Sequence, residues 1–276
     1  MLGRRIVDIF NRDTSIKVFT CGRGSSYEIN FDLLDDIASA QFNNVPNEID
    51  VAIYCSASFL GNSINDAVHN EMINSVGSLR AAQIADKLNT KHFINVSSIS
   101  SLANQSMNSY GLSKKHGHEN LLYIFKEIGM KYTSLFFSQL YDEYGKARKH
   151  QRMLYSFIDS AFIGQDIWIY GNNDPYRNYL FIDDAVNIIR GVILHDLVGS
   201  YPCVHPSSNT CSEVAKMIQA VINKGGQVGF LRDKSDIPDI EIPTDISIYD
   251  KINYLPSIDL IQGITRIKNC LNKRED

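Results

Sequence analysis

Five cysteines, at positions 21, 55, 203, 211 and 270, form no C-x-x-C pair and no regular spacing in this 276-residue sequence. That argues against a disulfide framework and for reduced thiols in a cytoplasmic protein. No apolar run approaches the roughly 18 residues of a membrane span, and no charged-then-apolar leader opens the chain. Membrane partners are therefore not expected. Basic residues are not in excess: 27 Lys and Arg stand against 31 Asp and Glu, for a formal net charge of −4. They are also scattered, which leaves no field for nucleic acid. No segment repeats at a fixed period. The G-x-S-x-G turn of a Ser-His-Asp hydrolase is absent. His116 and His118 stand two apart on a helical pattern and point to different faces, while His195 and His205 have no Cys or acid at ligand spacing. No metal site is expected.

What is present is alternation. With 44% hydrophobic and 21% charged residues, the chain can bury one large core or two unequal ones. Short apolar runs with β-branched residues, at Ser15 to Thr20, Glu28 to Leu33, Ile49 to Cys55, Lys91 to Val96 and Lys131 to Phe137, are separated by helical patterns such as Ile64 to Leu88 and Tyr110 to Gly129. Strand and helix in turn argue an α/β fold: a parallel sheet with helices on both faces. After Tyr141 the pattern changes to a basic loop, a helix to about Gly164, and further strands from Ile167 and Tyr176.

The most informative stretch runs from Ser97 to Lys114, S-S-I-S-S-L-A-N-Q-S-M-N-S-Y-G-L-S-K. It reads as a buried strand emptying into a Ser-rich loop and then a helix with Ser109 as N-cap. On that helix Tyr110 and Lys114 stand at i and i+4 and share a face. An ammonium near a phenol lowers its pKa from about 10. The ring can then exchange a proton with a carbinol or carbonyl oxygen near neutral pH while a hydroxyl such as Ser98 holds that oxygen. The alternative is a pair of ordinary surface neighbours.

Strand, S-S, then Y-G-L-S-K resembles the active-site segment of the extended short-chain dehydrogenase/reductases, the NAD-dependent epimerase/dehydratase family that modifies nucleotide sugars. The resemblance implies a Rossmann-like doubly wound sheet in residues 1–140, with an interleaved, smaller substrate-binding α/β part in 141–276. It implies Ser98, Tyr110 and Lys114 as catalytic residues, with Ser97 the alternative if the register slips. Met1-Leu2-Gly3 matches the end of the family's glycine turn, so Gly3 would be its third glycine, ahead of a helix carrying Ile6, Val7, Ile9 and Phe10 on its inner side. The first strand and first two glycines are not among these residues. Either the sequence starts late, or it belongs to a degenerate relative that has lost its cofactor.

Further cofactor contacts implied by resemblance are Asp32 near the adenine, Ala57 at a strand tip, Lys114 at the ribose, and Asn74, which would also brace the active-site segment. Arg23 stands where an acid would select NAD, and so leans the cofactor toward NADP; a solvated loop charge is the other reading. For the substrate the resemblance implies Ser98, Gln139 in place of the family's Asn, and Arg177 as partner of the nucleotide-sugar diphosphate. An Arg tied to a carboxylate is the alternative there. Asp184 is read as tying its helix. Ile99 and Ser100 follow Ser98 where sugar dehydratases carry Asp-Glu, so dehydratase is disfavoured. The expectation is hydride transfer at a sugar carbon, as an epimerase or reductase; a silent nucleotide-sugar or dinucleotide binder is the competing class. A homodimer is only what the family suggests.

Overall fold

A computed structural model describes residues 1–103 and 108–275. Residues 104–107 of the Ser97 to Lys114 stretch lie outside the described residues. The chain divides into two compact units: residues 2–136 with 190–202, and Met1 with 137–189 and 203–276. The boundary read from the sequence at residue 140 falls between 136 and 137.

In the first unit, α1 (Leu2–Phe10) buries Leu2, Ile6 and Phe10. These are spaced i, i+4, i+8, so the inner stripe runs through them and leaves Val7 and Ile9 half-buried on its flanks. A small sheet follows, ordered β1 (Cys21–Gly22), β2 (Ile29–Asn30), β3 (Gln41–Phe42), parallel then antiparallel. The strand expected at Ser15 to Thr20 does not form. Only Thr20 enters the ladder, accepting from the Ile29 amide at 3.0 Å. Among the described residues none pairs with 16–19 as a strand, and apolar alternation without a ladder partner does not make one.

The main sheet of this unit is ordered β11-β6-β5-β4, from β4 (Val51–Tyr54), β5 (His92–Ser98), β6 (Lys131–Phe137) and β11 (Gly199–Cys203), with β4 and β5 parallel. β6 is buried from Tyr132 to Phe137. Between β4 and β5 the chain forms one long helical run, α2 (Ile64–Glu71), a π-turn (Met72–Val76) and α3 (Gly77–Lys87). Helix α4 (Ser109–Ile128) returns the chain to β6. Phe93 packs its ring 4.8 Å from Phe125, which lies 5.4 Å from Tyr132. Tyr54 and Leu121 complete this core.

In the second unit, β7 (Gln139–Tyr141) pairs in parallel with β10 (Tyr179–Phe181), and β8 (Ile167–Tyr170) with β13 (Val228–Leu231). β9 (Tyr176–Arg177) pairs antiparallel with β12 (Asn209–Thr210). Helices α5 (Arg152–Phe162), α6 (Ile182–Leu194), α7 (Cys211–Ile222), α8 (Ile248–Lys251) and α9 (Leu260–Glu275) complete the chain, with residues 190–194 of α6 counted in the first unit. Asp184 is fully buried. It accepts from the Tyr254 hydroxyl and from the Ser257 and Ile258 amides, tying the start of α6 to the C-terminal segment.

Candidate active site

Two glycines decide where the active-site helix can lie. A Cβ on Gly111 would stand 2.5 Å from the Ser100 carbonyl oxygen, and one on Gly117 would stand 2.2 Å from that of Asn74. Only hydrogen at those positions lets α4 press against the end of β5 and against the π-turn. The helix is capped by Asn108, whose Oδ1 accepts from the Gly111 amide at 2.8 Å. The sequence had placed that cap on Ser109. Asn108 wins because its side chain reaches back to the third helical amide, while the Ser109 hydroxyl donates to the Gly61 carbonyl at 2.7 Å.

This packing sets the Tyr110 phenol against the Ser98 hydroxyl within hydrogen-bonding reach. Ser97 is turned away and buried, its Oγ 3.3 Å from that of Ser101, so Ser98 is the hydroxyl on the phenol. Burial raises the Tyr110 pKa above its ordinary value, and the Ser98 hydrogen bond lowers it. Lys114, 3% exposed, donates from Nζ to the carbonyls of Ser56 at 3.2 Å and Val96 at 3.1 Å, with the Tyr54 ring 5.7 Å away. Burial brings its pKa down to about 8, with Cys55 opposing. The expectation that this ammonium depresses the phenol is corrected here. Lys114 gives two of its three donors to the Ser56 and Val96 carbonyls, while burial pushes the phenol pKa up and Ser98 pulls it down.

The loop after β4 is tied to α4 by two asparagines one helical turn apart. Asn74 is 1% exposed. Its Oδ1 accepts from the Ser58 amide, and its Nδ2 donates to the Ser58 carbonyl and the Ser113 hydroxyl, at 2.8, 2.8 and 2.9 Å. With both amide hydrogens committed inside the protein, Asn74 braces the loop rather than reaching a cofactor, which corrects its place among the cofactor contacts. Asn70 is fully buried. It accepts from the Ser58 hydroxyl and the Leu60 amide and donates to Ser109. Sequence reasoning missed Asn70. Its i, i+4 spacing from Asn74 on a helical pattern was the available signal.

The remaining cofactor candidates are spread over the first unit. Ala57 is exposed beyond the tip of β4. Gly3 lies in the first turn of α1, where a Cβ would make an ordinary 3.6 Å contact with Cys55, so packing does not demand glycine there. Arg23, 78% exposed, stands 3.8 Å from the Asp32 carboxylate. The two residues assigned to the adenine side therefore face each other.

Gln139 and Arg177 belong to the second unit. Arg177 is 5% exposed and donates to the carbonyls of Tyr176 and Pro238, both at 2.7 Å. Among the described residues no carboxylate pairs with it, so the reading of Arg177 as half of an internal ion pair is set aside. Opposite Gln139 in the β7–β10 register stands Tyr179, also 5% exposed and close enough to Arg177 to feel its charge. Tyr179 was not singled out from sequence, because an aromatic in a strand reads as core. Gln139 donates to the Gln151 side chain at 3.1 Å. No group of three or more His, Cys, Asp or Glu able to hold a metal occurs among the described residues.

Residues 1–201 match the model of the NAD dependent epimerase/dehydratase family. The putative UDP-glucose 4-epimerase of Methanocaldococcus jannaschii is 22% identical over 260 residues, 88% of this chain and 83% of that protein. The UDP-glucuronic acid decarboxylase 1 of Arabidopsis thaliana is 22% identical over 123 residues, so that the match spans 45% of this chain and only 28% of that protein. Among solved structures, the UDP-N-acetylglucosamine 4-epimerase of Methanobrevibacter ruminantium M1, in complex with UDP-N-acetylmuramic acid, superposes with a TM-score of 0.80 at 19% identity, covering 99% of this chain and 96% of that one.

Proposed function

This chain belongs to the NAD dependent epimerase/dehydratase family, and on that premise we propose that it transfers a hydride at a sugar carbon of a nucleotide-activated sugar, as an epimerase or a keto-sugar reductase. The observation that carries the reading is the Ser98 hydroxyl on the half-buried Tyr110, with Lys114 one helical turn further on. A phenol and a hydroxyl converging on one point can hold a carbinol or carbonyl oxygen and pass it a proton.

The residues present fit a nicotinamide dinucleotide on the strand-tip side. Ala57 is small and exposed, and Lys114 is a buried cation with a third N–H not spent on Ser56 or Val96. When bound, such a cofactor supplies the hydride acceptor or donor. Tyr110 protonates or deprotonates the substrate oxygen, Ser98 orients it, and Lys114 offers its remaining donor to a ribose hydroxyl. In the second unit, Arg177 suits a diphosphate, because a planar buried guanidinium without a carboxylate favours an anion. Gln139 and Tyr179 would offer polar groups beside it. Ile99 and Ser100 form the 3₁₀ turn directly after Ser98, so no acid pair stands there for dehydration. Arg23 leans the choice of cofactor to NADP, against the neutralising nearness of Asp32.

Single-turnover assays with NADH or NADPH on keto-sugar nucleotides, and with NAD⁺ or NADP⁺ on epimerisable sugar nucleotides, test the proposal. Turnover that Tyr110→Phe reduces by about 100-fold or more is expected. Full activity in that variant removes Tyr110 from its role. The raised phenol pKa and the engagement of Lys114 by carbonyls favour a second reading, a catalytically silent binder of nucleotide sugars or dinucleotides. Fluorescence titration with NADH and NADPH, read beside those assays, separates the two: a protein that binds a nucleotide sugar or a dinucleotide but turns over no sugar is the silent binder.

A further inference from the structure

The loop after β4 carries a large apolar ring to the phenol. Phe59 packs edge-on against Tyr110, with ring centroids 4.7 Å apart and planes at 64°, yet remains 43% exposed. The backbone around it is held on both sides: Ser58 through its amide, carbonyl and hydroxyl, Leu60 through its amide, Gly61 through its carbonyl, and Asn62 through its side chain to the Ser109 amide at 3.2 Å. The groups that grip these residues are Asn70 and Asn74 on the α2 to α3 run and Ser109 on α4. So much side-chain bonding around one exposed ring fixes that ring relative to α4.

We propose that Phe59 is a positioning residue for Tyr110. Its ring fixes the rotation of the phenol toward Ser98 and keeps water from the opposite side, so that the Tyr110 oxygen exchanges its proton only on the Ser98 side. The role rests on Tyr110 acting as an acid/base. Its physical content, the orientation and dryness of the phenol, can be measured without turnover. An edge-to-face pair contributes about 0.5–1.5 kcal/mol, enough to hold one rotamer. A ring in place of water also withholds hydrogen bonds from a phenolate, which pushes the phenol pKa up. Titratable groups on the elements around Tyr110 include Lys114, Lys115, His116, His118 and Glu119 on α4, Tyr54 at the end of β4 with Cys55 after it, and Asp66, His69 and Glu71 on α2.

The test is the titration of Tyr110 by NMR of protein labelled at tyrosine ¹³Cζ, with the resonance assigned through Tyr110→Phe. Phe59→Ala, and Phe59→Leu as a variant that keeps apolar volume without the ring edge, are compared with Phe59→Tyr, which keeps the aromatic contact. Phe59→Ala should titrate at lower pH than wild type, Phe59→Leu between the two, and Phe59→Tyr near wild type. An unchanged titration in Phe59→Ala and Phe59→Leu overturns the proposal. If a sugar nucleotide is turned over, the same two variants should lose about two- to tenfold in kcat, with KM for the dinucleotide unchanged and the pH profile displaced downward. A rise in KM for the dinucleotide at constant kcat would instead make Phe59 a cofactor contact and sink the proposal. Absence of any turnover in wild type counts against the proposed activity alone, since the titration still decides the role of Phe59.

Discussion

At the scale of single residues, Lys114 makes the sharpest prediction. A fully buried ammonium with its pKa brought down to about 8, against 10.5 in the unfolded chain, means the unfolded state binds more protons between those values. Wild-type stability should therefore rise as pH climbs from 8 to 10.5. Below 8 the buried charge costs at most roughly 3 kcal/mol. Lys114→Met should melt above wild type at pH 7, with the gap closing by pH 10.5, while losing dinucleotide binding; urea midpoints across that range check it. A gap that stays constant with pH would mean the ammonium is not the source. That Tyr110 and Lys114 share a helix just after the strand carrying Ser98 could be read from residue types and spacing. Their electrostatics could not: which carbonyls an ammonium reaches depends on strand tips distant in sequence, Ser56 and Val96 here.

At the scale of elements, the contact of α4 with the π-turn hangs on a missing Cβ. Gly117→Ala drives a methyl into the Asn74 carbonyl and should cost about 1–3 kcal/mol, read as a lower urea midpoint, with the Ser58 loop loosened. Gly129→Ala is the contrast: nothing lies within 4 Å, but φ is +72°. Its cost should stay near about 1 kcal/mol. Equal losses in the two would refute the close-approach argument. Helix α4, β5 and β6 could be read from periodicity and apolar runs. Ser15 to Thr20 could not, because a strand exists only through its ladder partner, which a local pattern does not reveal. The π-turn was likewise invisible, since Met72–Val76 has the same composition as the helix around it.

At the scale of the whole molecule, acid should unfold the protein through histidines held neutral inside it. Burial lowers the pKa of both His118 and His92 below 6.5. His118 faces the Tyr132 hydroxyl at 3.0 Å, and His92 faces Thr133 at 2.8 Å with Asp196 partly opposing. The unfolded chain takes up protons first, so stability falls as pH drops below about 6.5. His118→Gln should flatten that fall in urea midpoints between pH 7.5 and 5; an unchanged slope would assign the loss elsewhere. Alternation of strand and helix made the α/β architecture readable as far as Tyr141, where the pattern changes. Interleaving came with the family resemblance, but that residues 190–202 are a returning segment did not, because α6 looks like one uninterrupted helix whichever unit its ends serve. Finally, if Arg177, enclosed among carbonyl oxygens, takes an anion as proposed, the protein carries a standing appetite for counter-ions despite its net charge of −4. Solvent composition then becomes a ligand in its own right: at matched ionic strength, sulfate should raise the melting temperature over chloride, Arg177→Met should erase that difference, and phosphate-buffered assays should under-report affinity for any substrate that brings its own anion.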